Sequence, residues 1–277
     1  MCCQYFSCII TKDFKVHWSK RMMAHEDLLA ELKLEDKKLE ERDFVKIEIA
    51  PKNNAKMTRD RDDWVYNVDE ERTLPNWYDE NVVKCQAACW KAWQESIEAC
   101  LAVDKEEKSG KDQLFFAYDS AKVRASGSAT VKAYDSAKVE AYDSAKVEAY
   151  GSAKVEAYGS AKVEASGSAK VVAYDSSTVK AYDSATVLAS CSAKVEASCS
   201  AKVQAYGSAT VEAYGSATVE ASGSSTVKAY DSAKVEAYGS ATVELKSDCA
   251  TVLCHGKIFV TEKATVVRAS VVKAAEV

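Results

Sequence analysis

The sequence predicts a β-solenoid preceded by a small α+β domain, and three observations carry this prediction. Between residues 117 and 244 one octapeptide recurs sixteen times without insertion or deletion, in the form Ala-Tyr-Asp/Gly-Ser-Ala-Lys/Thr-Val-Glu/Lys. The seventh position is Val and the fourth is Ser in every copy. All five tryptophans and both prolines precede the repeat, so the chain divides into an ordinary N-terminal part and a repetitive part.

Each octad has the pattern of one short strand followed by a turn. From Ala137 to Tyr142 apolar and polar residues alternate strictly, which is the period of a strand. Asp143 and Ser144 then stand where a turn is needed, because Asp and Gly tolerate unusual backbone angles and Ser bonds locally. A long helix is the alternative, but a Gly or Asp beside a Ser in every octad would be costly in a helix interior.

A single octad cannot be stable alone. Burial of its one Val contributes roughly 1.5–3 kcal/mol, whereas fixing its backbone costs about 1–2 kcal/mol per residue. Stacked copies extend the hydrogen-bond ladder and bury a continuous thin core, which offsets that cost. The repeat therefore predicts a β-solenoid, or β-helix.

The length of one coil is either 16 or 24 residues. Octads that end in Thr-Val-Lys recur every 48 residues, at Lys132, Lys180 and Lys228, and both windings satisfy this spacing. Because the interior would hold only Ala and Val, we favour a flat coil of 16 residues with two closely packed sheets. At about 4.8 Å per layer, eight such coils would make a rod roughly 40 Å long.

The N-terminal part predicts two helices and two strands. The first helix covers residues 20–42, and the alternation over 44–49 and 64–68 predicts strands. A second, amphipathic helix covers about 80–102, with Asp79 as its N-cap. The mixed-charge run that precedes the second strand predicts a solvated segment.

Four segments follow from these patterns. Residues 1–103 form the N-terminal α+β domain, and residues 104–113 are a charged linker. Residues 114–244 form the octapeptide-repeat solenoid, in which large apolar side chains cover the first coil. Residues 245–277 are degenerate repeats and a C-terminal cap, which the exposed sheet edge of an open solenoid requires.

The histidines and N-terminal cysteines give no pattern of a catalytic or cofactor-binding site. The three histidines share no spacing, and the glycines form no phosphate-binding loop. Cys85 and Cys89 lie one helical turn apart, as two zinc ligands might, but no second pair completes a tetrahedral set, and we interpret them as core residues. Cys2, Cys3 and Cys8 are interpreted as reduced surface or partly buried thiols of a cytosolic protein.

The repeat does not have the pattern of a calcium site or of a disulfide. Third-position aspartates could suggest calcium, but Gly or Cys replaces them between octads and no second ligand position accompanies them. Cys191 and Cys199 are eight residues apart, which in a flat coil places them on opposite edges, too far apart for a disulfide. We therefore expect a protein that is not an enzyme, with no cofactor and no metal.

The composition of the chain limits the classes of partner and the cellular location that we expect. The net charge of −5 disfavours non-specific binding of nucleic acid, which requires a basic surface. No segment approaches the length of a membrane span. The start lacks a basic leader and a long apolar run, so we expect no signal peptide and a cytoplasmic location, with export by an unrecognised route left open.

The repeat surface is the remaining candidate for function. Second-position tyrosines should stack as an aromatic ladder near a turn, beside a parallel ladder of serines. Sixth- and eighth-position charges, such as Lys138 and Glu140, should form a solvated face that neutralises itself. The candidate self-association ladder consists of Tyr134, Tyr142, Tyr150, Tyr158, Tyr206, Tyr214, Tyr230 and Tyr238.

Octads such as residues 205–212 resemble the repeat of bacterial ice-nucleation proteins, in their eight-residue period and in Tyr-Gly-Ser followed by Thr. The resemblance covers residues 117–244 and implies a flat solenoid with Tyr and Ser ladders, self-association and water ordering by Thr-x-Thr rows. Here Thr is followed two residues on by Glu, Lys or Leu, which departs from those rows. Residues 62–78 resemble the segment before such octads in uncharacterised bacterial and phage-encoded proteins, which implies no activity.

These observations support two hypotheses. In the first, the chain is a non-enzymatic structural or interaction protein, a rigid rod that self-associates and carries a recognition or docking domain for an unidentified protein or surface. In the second, it is an ice-nucleation-like or water-organising repeat protein.

Overall fold

The computed structural model describes residues 6–21, 24–34, 43–54, 56–69, 74–103, 106–109, 112–255, 259–261 and 266–268. The chain forms two compact units. The first contains residues 1–101 and 112–114, and the second contains residues 102–111 and 115–277.

The first unit contains a four-stranded antiparallel sheet with the order β2-β1-β3-β4. Its strands are β1 Phe6–Thr11, β2 Val16–His17, β3 Phe44–Pro51 and β4 Trp64–Val68. The two predicted strands are confirmed, and β3 continues through Pro51. Strand β1 was not predicted, and its Cys8 is fully buried, so the interpretation of this thiol as surface or partly buried was wrong. Cys2 and Cys3 lie outside the described residues.

The helices of this unit are α1 His25–Leu32, α2 Asn76–Asp79 and α3 Val82–Cys100, with short 3-10 turns at Lys52–Asn54 and Arg61–Asp63. The predicted helix over 20–42 was too long, because Lys33 adopts a left-handed conformation with φ of 53° and ends α1. Residues 22–23 and 35–42 lie outside the described part.

Helix α3 confirms the predicted second helix, but the predicted cap was wrong. Asp79 is the last residue of α2, and Asn81 precedes α3 without a side-chain capping bond. The apolar face of α3 packs inward through Cys85, Cys89 and Ile97, which are at most 1% exposed. Both cysteines are therefore core residues, as their spacing suggested.

The second unit is a β-solenoid made of two parallel sheets, each with eleven strands among the residues that the structure describes. The odd sheet contains β5 Leu101–Val103, β7 Leu114–Tyr118, β9 Thr130–Ala133, β11 Lys146–Ala149, β13 Lys162–Ala165, β15 Thr178–Ala181, β17 Lys194–Ala197, β19 Thr210–Ala213, β21 Thr226–Ala229, β23 Thr242–Leu245 and β25 Phe259–Thr261. The even sheet contains β6 Glu106–Ser109, β8 Lys122–Ala125, β10 Lys138–Ala141, β12 Lys154–Ala157, β14 Lys170–Ala173, β16 Thr186–Ala189, β18 Lys202–Ala205, β20 Thr218–Ala221, β22 Lys234–Tyr238, β24 Thr251–His255 and β26 Val266–Arg268.

The strand register confirms the flat coil of 16 residues. Each strand pairs in parallel with the strand two places later, so Val139 lies beside Val155 and Lys138 beside Lys154. A coil therefore consists of two octads, one in each sheet. Corresponding octad positions stack in columns along the rod.

The interior of the solenoid is made of the first-, fifth- and seventh-position side chains. In the octads that the structure describes, Ala at the first position and Val at the seventh are at most 3% exposed. Sixth- and eighth-position side chains point outward from the two sheets, as the alternation predicted.

Every third-position residue in the sixteen octads has a left-handed backbone, with φ between 49° and 69°. This conformation favours Gly, which has no Cβ, and Asp, which is enriched among the other residues that adopt it. At Gly167 a Cβ atom would also lie 3.2 Å from the carbonyl oxygen of Gly151, one coil earlier.

The ends of the solenoid extend beyond the regular octads. Part of the expected linker at 104–113 is strand β6, which pairs with β8. Phe115 and Phe116 of β7 are buried. At the other end β24, β25 and β26 continue the two sheets, while residues 256–258, 262–265 and 269–277 of the expected cap lie outside the described part.

Replacement of Ser225 by Ala is expected to stabilise the solenoid by about 1 kcal/mol, because a buried hydroxyl without a partner is costly. Ser225 is fully buried, and its Oγ has no hydrogen-bond partner among the described atoms. Ser177→Ala is the matched control, since the Ser177 Oγ donates to the carbonyl of Tyr174 at 2.7 Å. Denaturant unfolding followed by circular dichroism measures both, and an equal effect of the two changes would contradict this account.

Candidate interaction surfaces

The candidate tyrosines form two columns, because successive octads turn at opposite edges of the flat coil. The expectation of a single ladder was therefore wrong. On the first edge, where the chain passes from the odd to the even sheet, lie Tyr134, Tyr150, Tyr214 and Tyr230. On the second edge lie Tyr142, Tyr158, Tyr206 and Tyr238.

Rings in each column stack face to face. On the first edge, the ring centroids of Tyr118 and Tyr134 are 4.8 Å apart, and those of Tyr134 and Tyr150 are 5.1 Å apart. On the second edge, Tyr158 lies between Tyr142 and Tyr174 at 5.1 and 4.9 Å. Each edge thus carries a stack of three rings.

Two further stacks lie toward the C-terminal end. Tyr214 and Tyr230 are 4.5 Å apart on the first edge, and on the second edge Tyr238 stacks on His255 at 4.5 Å. Tyr118 and Tyr174 were missed as candidates, although their octad position would have revealed them. His255 follows an extra residue after the regular octads, so only the strand register reveals its place.

Serines divide both columns. Ser166 and Ser198 stand one coil before and one coil after Tyr182, and Ser190 and Ser222 do the same for Tyr206. Each edge therefore presents a run of three aromatic rings, then one, then two.

The tyrosine hydroxyls bond to the charged face beside them. Tyr158 donates to the carboxylate of Glu156 at 2.7 Å, and Tyr214 donates to that of Glu212 at 3.0 Å. Tyr142, Tyr150 and Tyr238 make the same bond to the Glu two residues earlier. Partial burial and the hydrogen bond to Glu212 raise the pKa of Tyr214 to about 12, and the bond to Glu156 raises the pKa of Tyr158.

The solenoid is expected to lose stability as the pH rises from about 10, the usual pKa of Tyr, toward the raised pKa of about 12 of Tyr214. A pKa that is higher in the folded state stabilises the fold below the unfolded pKa, and this contribution disappears as the pH climbs through the folded pKa. Replacement of Tyr158 and Tyr214 by Phe keeps the rings and removes the hydroxyls. Thermal midpoints measured across this range should fall less steeply in the Phe variant, and equal slopes would contradict the prediction.

The outer face of the odd sheet neutralises itself. Lys132 lies 3.2 Å from Glu148, Lys180 lies 3.6 Å from Glu196, and Lys228 lies 3.1 Å from Glu212, each between neighbouring coils. These lysines are the ones that recur every 48 residues, which the register shows to be three coils of 16. The expected self-neutralising surface therefore exists on this sheet.

The outer face of the even sheet differs. Its sixth-position column begins with four consecutive lysines that form no ion pair with any residue the structure describes, namely Lys122, Lys138, Lys154 and Lys170. In the eighth-position column Arg124 lies 2.9 Å from Glu140, and further along Val172 lies beside Leu188 on the neighbouring strand.

Third-position aspartates have a structural role. The Asp143 carboxylate accepts a hydrogen bond from the backbone N–H of Gly127 at 3.2 Å, and Asp231 accepts one from Gly215 at 2.9 Å. Asp175 and Asp183 act in the same way, each on the glycine one coil earlier.

The two repeat cysteines lie at opposite edges of the coil, as their spacing predicted. Cys191 belongs to a turn of the second edge and Cys199 to a turn of the first. Both are exposed free thiols.

The first unit contains a cleft of about 480 Å³ that we name the tryptophan cleft. Its walls are formed by Arg59, Arg61, Ala87, Trp90, Lys91, Trp93, Gln94, Ile97 and Glu98. The Arg61 guanidinium lies over the Trp90 ring at 4.5 Å, a favourable cation–π distance. Trp93 is 4% exposed, and its indole N–H has no partner among the described atoms.

The sequence did not reveal this cleft. The charged run 59–63 is exposed, as predicted. Within it, Arg59 donates to the carbonyl of Leu101 at 2.8 Å and Asp60 caps the 3-10 turn, contacts that the sequence did not reveal. Helix α3 supplies the remaining walls from about thirty residues further along the chain. Three cations around two indoles suit a ligand that combines negative charge with an apolar part.

A buried group of thiols and phenols joins β1, β4 and the helices of the first unit. Tyr66 and Tyr78 share a hydrogen bond of 2.9 Å between their hydroxyls. Burial raises the pKa of Cys8 well above its usual value, while hydrogen bonds from Cys8 and Tyr66 lower that of Cys89. Burial also raises the pKa of Cys85 to about 11. The thiols Cys8 and Cys85 are therefore held in the protonated form.

Comparison of the chain with protein-family models, with curated proteins and with solved structures gives no match. Within the part of the chain that the structure describes, no helix is long and apolar enough to cross a membrane. Fold and surfaces together define the chain as a rigid β-solenoid scaffold with a small α+β unit before it.

Proposed function

We propose that this chain is a non-enzymatic scaffold protein whose rods associate side by side through the tyrosine columns, and whose N-terminal unit docks a partner. The stacked, exposed rings carry the proposal. Tyr142 and Tyr150 are 37% exposed and Tyr238 is 39% exposed, each at the edge of a rigid coil.

A stacked tyrosine is well suited to form contacts. Its ring is already held by its neighbours in the column, so little side-chain entropy remains to be lost on binding. Tyr combines a large apolar surface with a hydroxyl, and it is enriched at protein interfaces for that reason. Because both edges carry such columns, each rod can contact two neighbours, and lateral rows of rods follow.

The test replaces tyrosines by the serine that other octads carry at the same position. A first variant changes Tyr142, Tyr158 and Tyr174 on the second edge, and a second variant changes Tyr118, Tyr134 and Tyr150 as well. Sedimentation velocity at high ionic strength, which screens contacts between charged faces, should show growing assemblies for the parent as its concentration rises, pairs for the first variant and single rods for the second.

Tyr182→Ser is the matched control, since Tyr182 stands between Ser166 and Ser198 and its ring stacks on no ring that the structure describes. This control should assemble as the parent does. A parent that stays monomeric at every concentration, or a six-fold variant that assembles unchanged, would rule the proposal out.

The tryptophan cleft supports the docking role of the N-terminal unit, and its charges favour an acidic partner segment. Arg59, Arg61 and Lys91 outnumber the single carboxylate of Glu98 in its walls. Poly-L-glutamate serves as the probe, with tryptophan fluorescence as the signal, because all five tryptophans precede the repeat. Arg61→Ala should weaken this binding at least about fivefold, whereas Lys12→Ala should not. Equal binding by both variants would count against the cleft.

A water-organising function is the second candidate, and one observation favours it. Thr210, Thr226 and Thr242 stack in consecutive coils of the odd sheet, forming a short threonine column. Charged residues of the eighth position stand beside it, which distinguishes it from a double threonine row. If this function holds, droplets of the purified chain should freeze at a higher temperature than buffer, and Thr226→Lys should reduce the effect. Freezing at the temperature of buffer would exclude it.

A further inference from the structure

We infer that the outer face of the even sheet docks a second copy of this chain, with the two rods parallel and related by a two-fold axis along the rod direction. This inference goes beyond the proposed edge contacts, because it concerns a broad face and holds without the tyrosine columns. It rests on the order of charges in two neighbouring columns.

The two columns lie side by side along the rod. Sixth- and eighth-position residues are two apart on one strand, so both face outward, and the exact 16-residue register aligns each position in a straight column. The sixth-position column is rich in lysine, and Glu140, Glu156, Glu220 and Glu236 lie in the eighth-position column.

A two-fold axis along the rod places the sixth-position column of one copy opposite the eighth-position column of the other. It also keeps equivalent coils of the two copies at the same height along the rod. The lysine column of one copy therefore faces the glutamate column of the other. Lys138 lies opposite Glu140 of the second copy, Lys154 opposite its Glu156, and Lys234 opposite its Glu236. Each pair occurs twice, as in any isologous interface.

The antiparallel arrangement is disfavoured. A two-fold axis perpendicular to the rod places the lysine column against itself and the glutamate column against itself. Like charges brought together across an interface are repulsive, which selects the parallel orientation.

The even sheet is favoured over the odd sheet for two reasons. On the odd sheet Glu148, Glu196 and Glu212 already pair with lysines of their own chain. The eighth-position column of the even sheet, in contrast, contains no lysine, so its Glu156, Glu220 and Glu236 form no ion pair with any residue that the structure describes. The even sheet also carries the apolar pair Val172 and Leu188 near its middle. In the parallel dimer this pair is covered by the aliphatic stem of Lys170 and by Thr186 of the second copy.

The first coil of the solenoid opposes association. In the first coil Lys122 would face Arg124 of the second copy, although Arg124 is already held by Glu140 of its own chain at 2.9 Å. The face is eight coils of ~4.8 Å long and four residues of ~3.3 Å wide, which gives an area of about 500 Å² per copy. A standard protein interface buries roughly 800 Å² per partner, so this face is smaller. The dimer should therefore be weak and should dissociate as salt is raised.

Charge exchange tests the inference in a full-length background whose tyrosine columns carry the serine substitutions described above. An acidic variant has Lys138→Glu and Lys154→Glu, and a basic variant has Glu140→Lys and Glu156→Lys. Sedimentation velocity at low ionic strength, where charge contacts are not screened, should show dimers for the background and at least a tenfold weaker association for each variant alone. An equimolar mixture of the two variants should restore the dimer.

A third variant, which combines all four changes, tests the orientation. In the parallel arrangement it should pair with itself and fail to pair with the background, and pairing with the background would contradict the parallel orientation. Lys146→Glu with Lys162→Glu, in the same coils of the odd sheet, is the matched control and should leave the dimer unchanged.

A monomeric background, an equal effect of the odd-sheet control or a mixture that stays monomeric would overturn the inference. Circular dichroism of each variant confirms that the solenoid is intact. Since both three-ring stacks are absent from this background, failure of the edge contacts leaves this experiment unaffected, and failure here leaves the edge contacts standing.

Discussion

Removal of Thr186 alone is expected to destabilise the solenoid far more than removal of the whole coil 181–196. A strand has a side-chain period of two, so one missing residue turns the inner face of β16 outward. Val187 and its alanine neighbours then lose their burial, and the ladder bonds of this coil are lost. The cost is roughly 5 kcal/mol, from one buried Val and several hydrogen bonds.

The sixteen-residue deletion joins Lys180 to Ala197 and keeps every remaining strand in its own sheet. A repeat array loses only one unit and closes over the gap, so its thermal midpoint should fall by a few degrees. Far-UV circular dichroism during heating distinguishes the two deletions, and the single-residue deletion should unfold in two steps as the rod divides. A shared single transition at the parental temperature would contradict the inward-facing register.

His25→Ala is expected to lower the free energy of unfolding of the first unit by about 3 kcal/mol. His25 is the first residue of α1 and is 1% exposed. Its Nδ1 lies 2.8 Å from the Asp69 carboxylate, and its Nε2 lies 3.0 Å from the carbonyl oxygen of Ile47. These two polar contacts fasten the start of the helix to the sheet.

Tryptophan fluorescence during denaturant unfolding measures this effect, because every tryptophan lies before the solenoid octads. Asp69→Asn is the matched change and should cost less, since the Asp69 side chain is 54% exposed and the histidine remains in place. An unchanged midpoint for His25→Ala would show that the helix is held by its apolar contacts alone, chiefly those of Leu28 and Leu29.

The solenoid could be predicted because its information is local and repeated. An invariant Val two residues from Ala on either side defines the inner face of every strand, and the small volume of these side chains favours two close sheets. The two-edge arrangement of Tyr134 and Tyr142 could have been predicted as well, because the flat coil that places Cys191 and Cys199 on opposite edges places the tyrosines of neighbouring octads there too.

The first unit was harder to predict because long-range pairing determines it. Strand β1 exists through its pairing with β3, about forty residues further along the chain. The predicted first helix was extended by a run of charged helix formers, and a left-handed Lys33 ends it instead. The tryptophan cleft depends on a loop near Arg61 meeting α3, and no local pattern shows such a meeting.

The hydrogen bonds of the third-position aspartates give the rod a direction. Asp143, Asp175, Asp183 and Asp231 each bind the turn one coil nearer the N-terminus, so a coil is completed only by the chain that follows it. On the ribosome, at about 5–20 residues per second, sixteen residues emerge within roughly one to three seconds. We therefore expect the molecule to grow vectorially during translation, with each newly emerged turn locking its predecessor.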